Sequence, residues 1–229
     1  MQHIDGSDEE IEELEKQLKQ LTSQVTRSAA ALTATRQKAA AELQKALIAK
    51  VTYLGMPNLR FEATVRPLGS EDGGKTKTVF GPMGADHVEF LFSANKNQPL
   101  RPAGEVASGG EISRLMLGIK SLVASARTLP TIIFDEIDTG VSGDIADRMG
   151  QVMKELSSHL QVITITHLPQ VAGKGAQHFR VYKADTDDQT ITHIEQLTAD
   201  QRLREIARML SGSDITPEAL ANAKTLIAE

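Results

Sequence analysis

The chain has 229 residues, of which 24% are charged and 40% are apolar, and its formal net charge at pH 7 is -5. These proportions are typical of a globular protein, and the negative charge argues against a surface that binds nucleic acid throughout. Aromatic residues make up only 3%, so base stacking is not expected as the main activity. The lack of cysteine excludes disulfides, thiolate metal sites and cysteine nucleophiles.

Membrane insertion is not expected from this sequence. No apolar run approaches the roughly 20 residues of a membrane span. The first residues also lack the apolar core of a signal peptide. We therefore expect a cytoplasmic protein without a membrane partner.

The first 50 residues are predicted to form a helical arm. Residues 8–50 contain neither proline nor glycine and are rich in residues that favour helices. One heptad position is apolar throughout, whereas the other loses its apolar character after Leu21. Because such a stripe needs a partner, we predict the returning strand of an antiparallel coiled coil at 1–50 and a globular domain at 51–229. A long surface helix packed on that domain is the alternative.

A glycine-rich segment at 69–76 matches the P-loop pattern GxxxxGK[ST]. It joins two alternating segments, 59–65 and 88–92, which read as antiparallel strands. A true P-loop follows a buried strand and opens into a helix. Here Gly81-Pro82 follows closely and prevents a helix, so we interpret the segment as a polar loop. A self-contained P-loop NTPase that uses Gly69–Thr76 is kept as an alternative.

A possible anion site precedes the next helix. Ser108, Gly109 and Gly110 stand before apolar residues at helical spacing, so a helix is predicted over 110–127. The free N–H groups and the dipole at a helix start favour a phosphate group. A capped helix start without a ligand is the commoner meaning of such residues.

Polar side chains end two successive strands. Residues 131–134 read as a buried strand followed by Asp135 and Glu136, and residues 161–166 read as a second one followed by His167. Functional groups of doubly wound sheets lie at such strand ends, so these side chains should meet at one edge. The first acid can hold magnesium and the second can activate a water. An acidic turn and a structural histidine are the alternatives.

The remaining elements carry no chemistry that the sequence reveals. Ser142 is expected to cap the helix between the two strands. A hairpin is predicted from 179–183 and 190–194. Two short helices close the chain, one ending at Gly212 and the other starting at Thr216.

The order of these features resembles the second half of an ABC-type ATPase head: signature motif at 106–114, Walker B acids and D-loop at 134–143, and switch histidine at 166–172. The long helix before them is similar to the arm of the structural-maintenance-of-chromosomes (SMC) class. In detail the strings most closely resemble the C-terminal half of the RecN family of bacterial double-strand-break repair ATPases. The resemblance covers essentially the whole chain. It implies an α/β fold, the C-terminal lobe of an ABC-type head with a mixed sheet and flanking helices, preceded by a coiled-coil helix.

The resemblance also implies residue roles. Asp135 would bind Mg²⁺, while Glu136 as general base and His167 as γ-phosphate sensor would be catalytic. The implied nucleotide-binding residues, which would touch ATP held by a second head or lie at the interface between heads, are Ser108, Gly109, Gly110, Glu111 and Asp138. The family's P-loop and Q-loop precede its arm and are absent here, and Ala107 replaces the usual leucine of the signature motif.

Together these features predict ATP-dependent repair and recombination of broken DNA in the bacterial nucleoid. The implied cofactors are ATP and Mg²⁺. The implied partners are a P-loop-bearing N-terminal half of the same head, a second head in a homodimer, and DNA. The isolated chain is expected to hydrolyse no ATP, because half of each composite site is missing. A non-enzymatic coiled-coil adaptor is the second alternative.

Overall fold

The computed structural model describes residues 2–69, 71–72, 75–76, 78–102, 109–126, 129–185 and 189–228. Its contacts divide the chain into two compact units. Unit 1 comprises Met1–Ile48 and Arg60–Glu105, and unit 2 comprises Ala49–Leu59 and Val106–Glu229. The predicted domain boundary after residue 50 stays a prediction.

The N-terminal helix α1 spans Gln2–Tyr53. It covers nearly all of the arm predicted at 1–50, continues to Tyr53 and includes Gly6. Glycine costs a helix about 1 kcal/mol, which a helix of 52 residues tolerates. Neither α1 nor another described helix is long and apolar enough to cross a membrane. Apolar side chains exposed along α1 are Ile11, Leu14, Leu18, Leu21, Val25 and Leu32.

A glycine cap ends α1. Gly55 adopts φ +81°, in the left-handed region that glycine enters without strain. The N–H of Met56 donates to the Val51 carbonyl at 2.9 Å, and the N–H of Gly55 donates to that of Thr52 at 3.1 Å. These two bonds form a Schellman motif, so the chain leaves the helix axis at a fixed angle.

Unit 1 is built on antiparallel strands: β1 (Arg60–Pro67), β2 (Glu71–Asp72), β3 (Lys75–Thr76), β4 (Asp86–Ser93) and β5 (Arg101–Pro102). The predicted antiparallel pair is confirmed, because β1 pairs with β4 over its whole length. Phe61 and Phe92 are opposite each other and are 3% and 1% exposed. Burial of two rings at one register position fixes which face of this pair is covered.

A buried carboxylate fastens α1 to the sheet of unit 1. Asp86, the first residue of β4, has a side chain that is 3% exposed. It accepts hydrogen bonds from the Thr33 hydroxyl at 2.8 Å and from the Arg36 guanidinium at 3.1 Å. Arg36 also donates to the carbonyl of Met83 at 2.7 Å. Because the carboxylate is paired and hydrogen-bonded, its burial is compensated.

Unit 2 contains the rest of the described elements: α2 (Gly109–Ala126), β6 (Thr131–Asp135), α3 (Gly143–Leu156), β7 (Gln161–Ile165), α4 (Pro169–Gly173), β8 (Phe179–Asp185), β9 (Thr190–Gln196), α5 (Ala199–Ser211) and α6 (Pro217–Ala228). The pair β6–β7 is parallel, with α3 as its crossover. Met149 and Val152 of α3 join Phe134 of β6 in the buried core. Leu54, just past α1, belongs to the same core.

The face of β6–β7 that points away from this core is exposed. Ile133, Ile163 and Ile165 are 57%, 44% and 50% exposed. The prediction that both strands are buried is therefore wrong for this face. Continuous apolar strands are typical of parallel sheets covered on both sides. In this pair only Ile132 and Phe134 of β6 are buried, and the inward residues of β7 are half-buried.

The predicted C-terminal elements are confirmed. Strands β8 and β9 pair antiparallel along their whole lengths. Helix α5 begins with a reciprocal capping box between Thr198 and Gln201 and ends at Gly212, and Thr216 accepts the N–H of Ala219 at the start of α6. Ser142 stands at the N-cap position of α3 but makes no capping bond with its side chain.

Replacement of Gly55 by alanine should destabilise unit 2. A Cβ at this position would lie 2.6 Å from Cδ1 of Ile145, at φ +81°. We expect a loss of about 2–3 kcal/mol in the free energy of unfolding, from the backbone strain and the crowding together. Urea denaturation followed by circular dichroism measures it.

Gly143→Ala is the matched control for this change. Gly143 has φ +57°, with no atom within 4 Å of its Cβ position. The Gly143→Ala variant should lose only about 1 kcal/mol in the free energy of unfolding, from the backbone strain alone. Equal losses in the two variants would show that contact with Ile145 is not the cause.

Candidate functional site

Two acids stand at the end of β6, as predicted. Asp135 is the last residue of the strand, is exposed, and pairs in register with Ile165 of β7. Glu136 follows it and is also exposed, and its N–H donates to the Ile165 carbonyl at 3.1 Å. The parallel ladder therefore extends one bond beyond β6 and fixes the backbone of both acids at the sheet edge.

The backbone of Glu136 is strained. Its φ is +46°, and no other described residue except glycines has a positive φ. Its carbonyl accepts the N–H of Thr139 at 3.3 Å and the hydroxyl of Thr139 at 2.9 Å. Such strain persists only where the surrounding bonds enforce it, and it is concentrated at functional sites. The observation supports a functional role for Glu136.

Asp138 points into the lobe. The residue is 1% exposed, and its Oδ2 accepts the hydroxyl of Thr166. The Thr166 hydroxyl oxygen in turn accepts the N–H of Leu168 at 3.0 Å. The nucleotide or interface role predicted for Asp138 stays a prediction, and this geometry gives its side chain a contact inside the chain as well.

His167 comes two residues after the end of β7, so the two parallel strands bring it to the same edge as the acids. Its side chain is 62% exposed. Its Nδ1 lies 3.7 Å from Oδ1 of Asp138. The predicted arrangement of the histidine and the acids at one sheet edge is confirmed by this topology, whereas its role in catalysis stays a prediction.

The start of α2 approaches the turn after the acids. A Cβ on Gly110 would lie 3.2 Å from the carbonyl oxygen of Thr139, so only glycine fits there without a shift. Glu111 is half-buried in the first helical turn, and Arg114 donates to the Gly110 carbonyl at 3.1 Å. The helix begins at Gly109, and Ser108 lies outside the described residues.

Two threonines are parts of the site to which the sequence alone assigned no role. Thr139 closes the turn on Glu136 through its hydroxyl, and Thr166 links Asp138 to the segment around His167. A hydroxyl next to an acid or histidine at a strand end is the signal that could have identified them, since threonine bonds nearby backbone and carboxylate groups readily.

A magnesium ion fits the acids only with help from a nucleotide. Among the residues that the structure describes, no group of three His, Asp or Glu side chains is placed to hold a metal. Mg²⁺ is commonly held by one or two carboxylates together with substrate phosphates and water. The exposed Asp135 at the strand end is the carboxylate predicted to bind Mg²⁺, and this role stays a prediction.

The P-loop match at 69–76 has no helix behind it. Lys75 and Thr76 form strand β3, which pairs antiparallel with Glu71–Asp72. Between there and β4, residues 78–85 are described and contain no helix. The rejection of a self-contained P-loop is supported, because the phosphate-binding helix start is missing.

Known proteins similar to this chain are DNA repair proteins. No family model matches it. The chain is 38% identical to the DNA repair protein RecN of Vibrio cholerae over 224 residues, which are 98% of this chain and 39% of that protein. It is 36% identical to RecN of Treponema pallidum over 227 residues, 99% of this chain and 39% of that one. The predicted resemblance to RecN is confirmed. The chain spans about two-fifths of the length of these curated relatives.

A solved structure supports the fold. An Smc head domain with a coiled coil and joint, from Pyrococcus yayanosii, is 16% identical with a TM-score of 0.52 over 74% of this chain and 29% of that one. The predicted α/β class, an ABC-type head lobe after a long helix, is confirmed. The predicted mixed sheet is not seen in the described chain, because its parallel and antiparallel strand pairs lie in separate small sheets.

Removal of the Thr166 hydroxyl should destabilise unit 2. Thr166→Val deprives the buried Asp138 carboxylate of its donor and the Leu168 N–H of its acceptor. Leaving buried polar groups unsatisfied costs about 1–3 kcal/mol, and we expect about 2 kcal/mol in thermal or urea unfolding. Thr166→Ser keeps the hydroxyl and should lose less than about 1 kcal/mol. A serine variant as unstable as the valine variant would contradict the hydrogen-bond explanation.

Proposed function

We propose that this chain is the catalytic-acid lobe of a RecN-like ATPase that acts in the repair of double-strand breaks in DNA. One observation carries the proposal: the parallel pair β6–β7 brings Asp135, Glu136 and His167 to one sheet edge. The strained backbone of Glu136 at that edge supports a chemical role over an acidic turn. The names of the relatives add the connection to DNA repair.

In this proposal each group has one task. Glu136 orients the attacking water and takes its proton, and Asp135 helps to hold the Mg²⁺ that accompanies ATP. When bound, the ion neutralises charge on the phosphates. His167 contacts the γ-phosphate of the same nucleotide. Ser108, Gly109 and Gly110 contact ATP on a second head, where the first N–H groups of α2, which have no partner within a helix, suit a phosphate.

The proposed site requires a P-loop from elsewhere. The described chain has none with a phosphate-binding helix, and we propose that an N-terminal half of the same head supplies it. The exposed isoleucines Ile133, Ile163 and Ile165 support this, because they lie on the same face as Asp135 at the end of β6. Apolar faces of parallel sheets are ordinarily covered, so a segment that covers this face would also adjoin the acids.

The arm is proposed to pair with a second helix as an antiparallel coiled coil. Its apolar stripe is exposed from Ile11 to Leu32. Beside Val25 and Leu32, a shallow cleft of unit 1 is lined also by Phe80 and Gly84. Broken DNA is the proposed substrate of the assembled protein, with a homodimer of heads as its active form and the bacterial nucleoid as its location.

Replacement of the proposed base should separate binding from hydrolysis. In the full-length protein, Glu136→Gln should lower ATP turnover by about 100-fold or more, the usual contribution of general base catalysis. ATP should remain bound and should stabilise the head dimer in gel filtration. Glu155→Gln makes the same substitution at an exposed position of α3 and should keep normal turnover. Unchanged turnover in Glu136→Gln would rule out this residue as the base.

The P-loop string should not matter for hydrolysis. We expect the isolated 229-residue chain to show no ATP turnover, and the full-length protein to keep its turnover after Lys75→Ala, because Lys75 lies in a strand. A coupled phosphate-release assay measures both. Turnover by the isolated chain that disappears with Lys75→Ala would favour the self-contained P-loop NTPase, and a full-length protein without any turnover would favour the coiled-coil adaptor.

A further inference from the structure

One oxygen of the Asp138 carboxylate lacks a hydrogen-bond donor. The side chain is 2% exposed, and its Oδ2 accepts the Thr166 hydroxyl. Its Oδ1 is buried and has no hydrogen-bond partner in the described part of the chain. A buried carboxylate oxygen without a donor is costly, and such atoms in folded proteins call for a specific explanation.

His167 offers the missing donor. Its Nδ1 lies 3.7 Å from that Oδ1, about 1 Å beyond a normal hydrogen bond. The backbone around His167 is tied to the same carboxylate, because Thr166 donates to Asp138 and accepts the N–H of Leu168. The residues before and after the histidine are therefore held in place, while the ring itself is 62% exposed.

We propose that Asp138 is a positioning residue for His167. Its carboxylate accepts a hydrogen bond from Nδ1–H, which fixes the orientation of the ring and keeps the proton on Nδ1. Nε2 is then the nitrogen left to face the nucleotide. A histidine whose second nitrogen is bound in this way has a defined tautomer. The link to turnover rests on the proposed function, whereas the orientation of the ring is a property of this chain alone.

A purely structural Asp138 would behave differently. If Asp138 served only to accept the Thr166 hydroxyl, no hydrogen bond would fix which nitrogen of the neutral His167 ring carries the proton. Isolated imidazole side chains favour the Nε2–H form. The tautomer of His167 therefore distinguishes a positioning role from a structural one.

Nitrogen NMR of the ¹⁵N-labelled 229-residue chain tests this, at a pH where imidazole is neutral. Absence of the His167 ring signals in His167→Gln assigns them. We expect Nδ1–H to predominate in the wild-type chain. If Nε2–H predominates there, the inference is overturned without recourse to any variant.

Asp138→Asn should reverse the tautomer. The Thr166 hydroxyl needs an acceptor, so the amide oxygen takes the place of Oδ2 and the NH₂ group faces Nδ1 of His167. Nδ1 must then accept, and the proton moves to Nε2. Asp144→Asn, the same change of charge at an exposed position of α3, should leave the Nδ1–H form in place. An unchanged tautomer in Asp138→Asn would also overturn the inference.

Turnover of the full-length protein separates this inference from the proposed function. With the wrong tautomer, Asp138→Asn should lower kcat by about 10- to 100-fold, and the KM for ATP should stay within about twofold. If the tautomer reverses and kcat does not change, Asp138 positions the ring but the proposed role of His167 in hydrolysis fails.

Discussion

The candidate site depends on the parallel pairing of β6 with β7. Their register aligns Asp135 with Ile165, and the bond from the Glu136 N–H to the Ile165 carbonyl continues the ladder by one residue. Because parallel strands end on the same side, the acids after one strand and the histidine after the other share an edge. A shift of the register by one residue would exchange the faces of the strand and separate these groups.

The local spacing of apolar residues was sufficient to predict most of the secondary structure. The alternation around Phe61 and Phe92 predicted the antiparallel pair, and the apolar runs before Asp135 and His167 predicted the parallel one. These patterns are properties of neighbouring residues, which the sequence displays directly. The relation of the two parallel strands to each other followed from the same reasoning, since a helical segment lies between them.

Exposure and backbone conformation could not be predicted in the same way. The exposure of Ile133 depends on what covers the sheet, and an apolar run reads the same whether one face or both are buried. The left-handed φ of Glu136 and the inward direction of Asp138 arise from the turn that Thr139 closes and from the contact with Thr166. Such contacts join residues whose partners a single sequence does not reveal. The cap at Gly55 was not predicted either, although glycine after a long helix is a common stop signal.

The P-loop match at 69–76 could be either a phosphate site or a pair of strands, and its backbone hydrogen bonds distinguish the two. In a P-loop the backbone N–H groups remain free to bind phosphate because a helix start leaves them unpaired. In this chain Lys75–Thr76 pairs with Glu71–Asp72 as a ladder.

At the start of α2 the first N–H groups have no partner within the helix. The close approach of Gly110 to Thr139 brings that helix start next to the turn that follows the acids. Strain at Glu136 and a buried charge at Asp138 lie in that same turn. Both features are locally unfavourable, and unfavourable features that occur together are typical of functional sites.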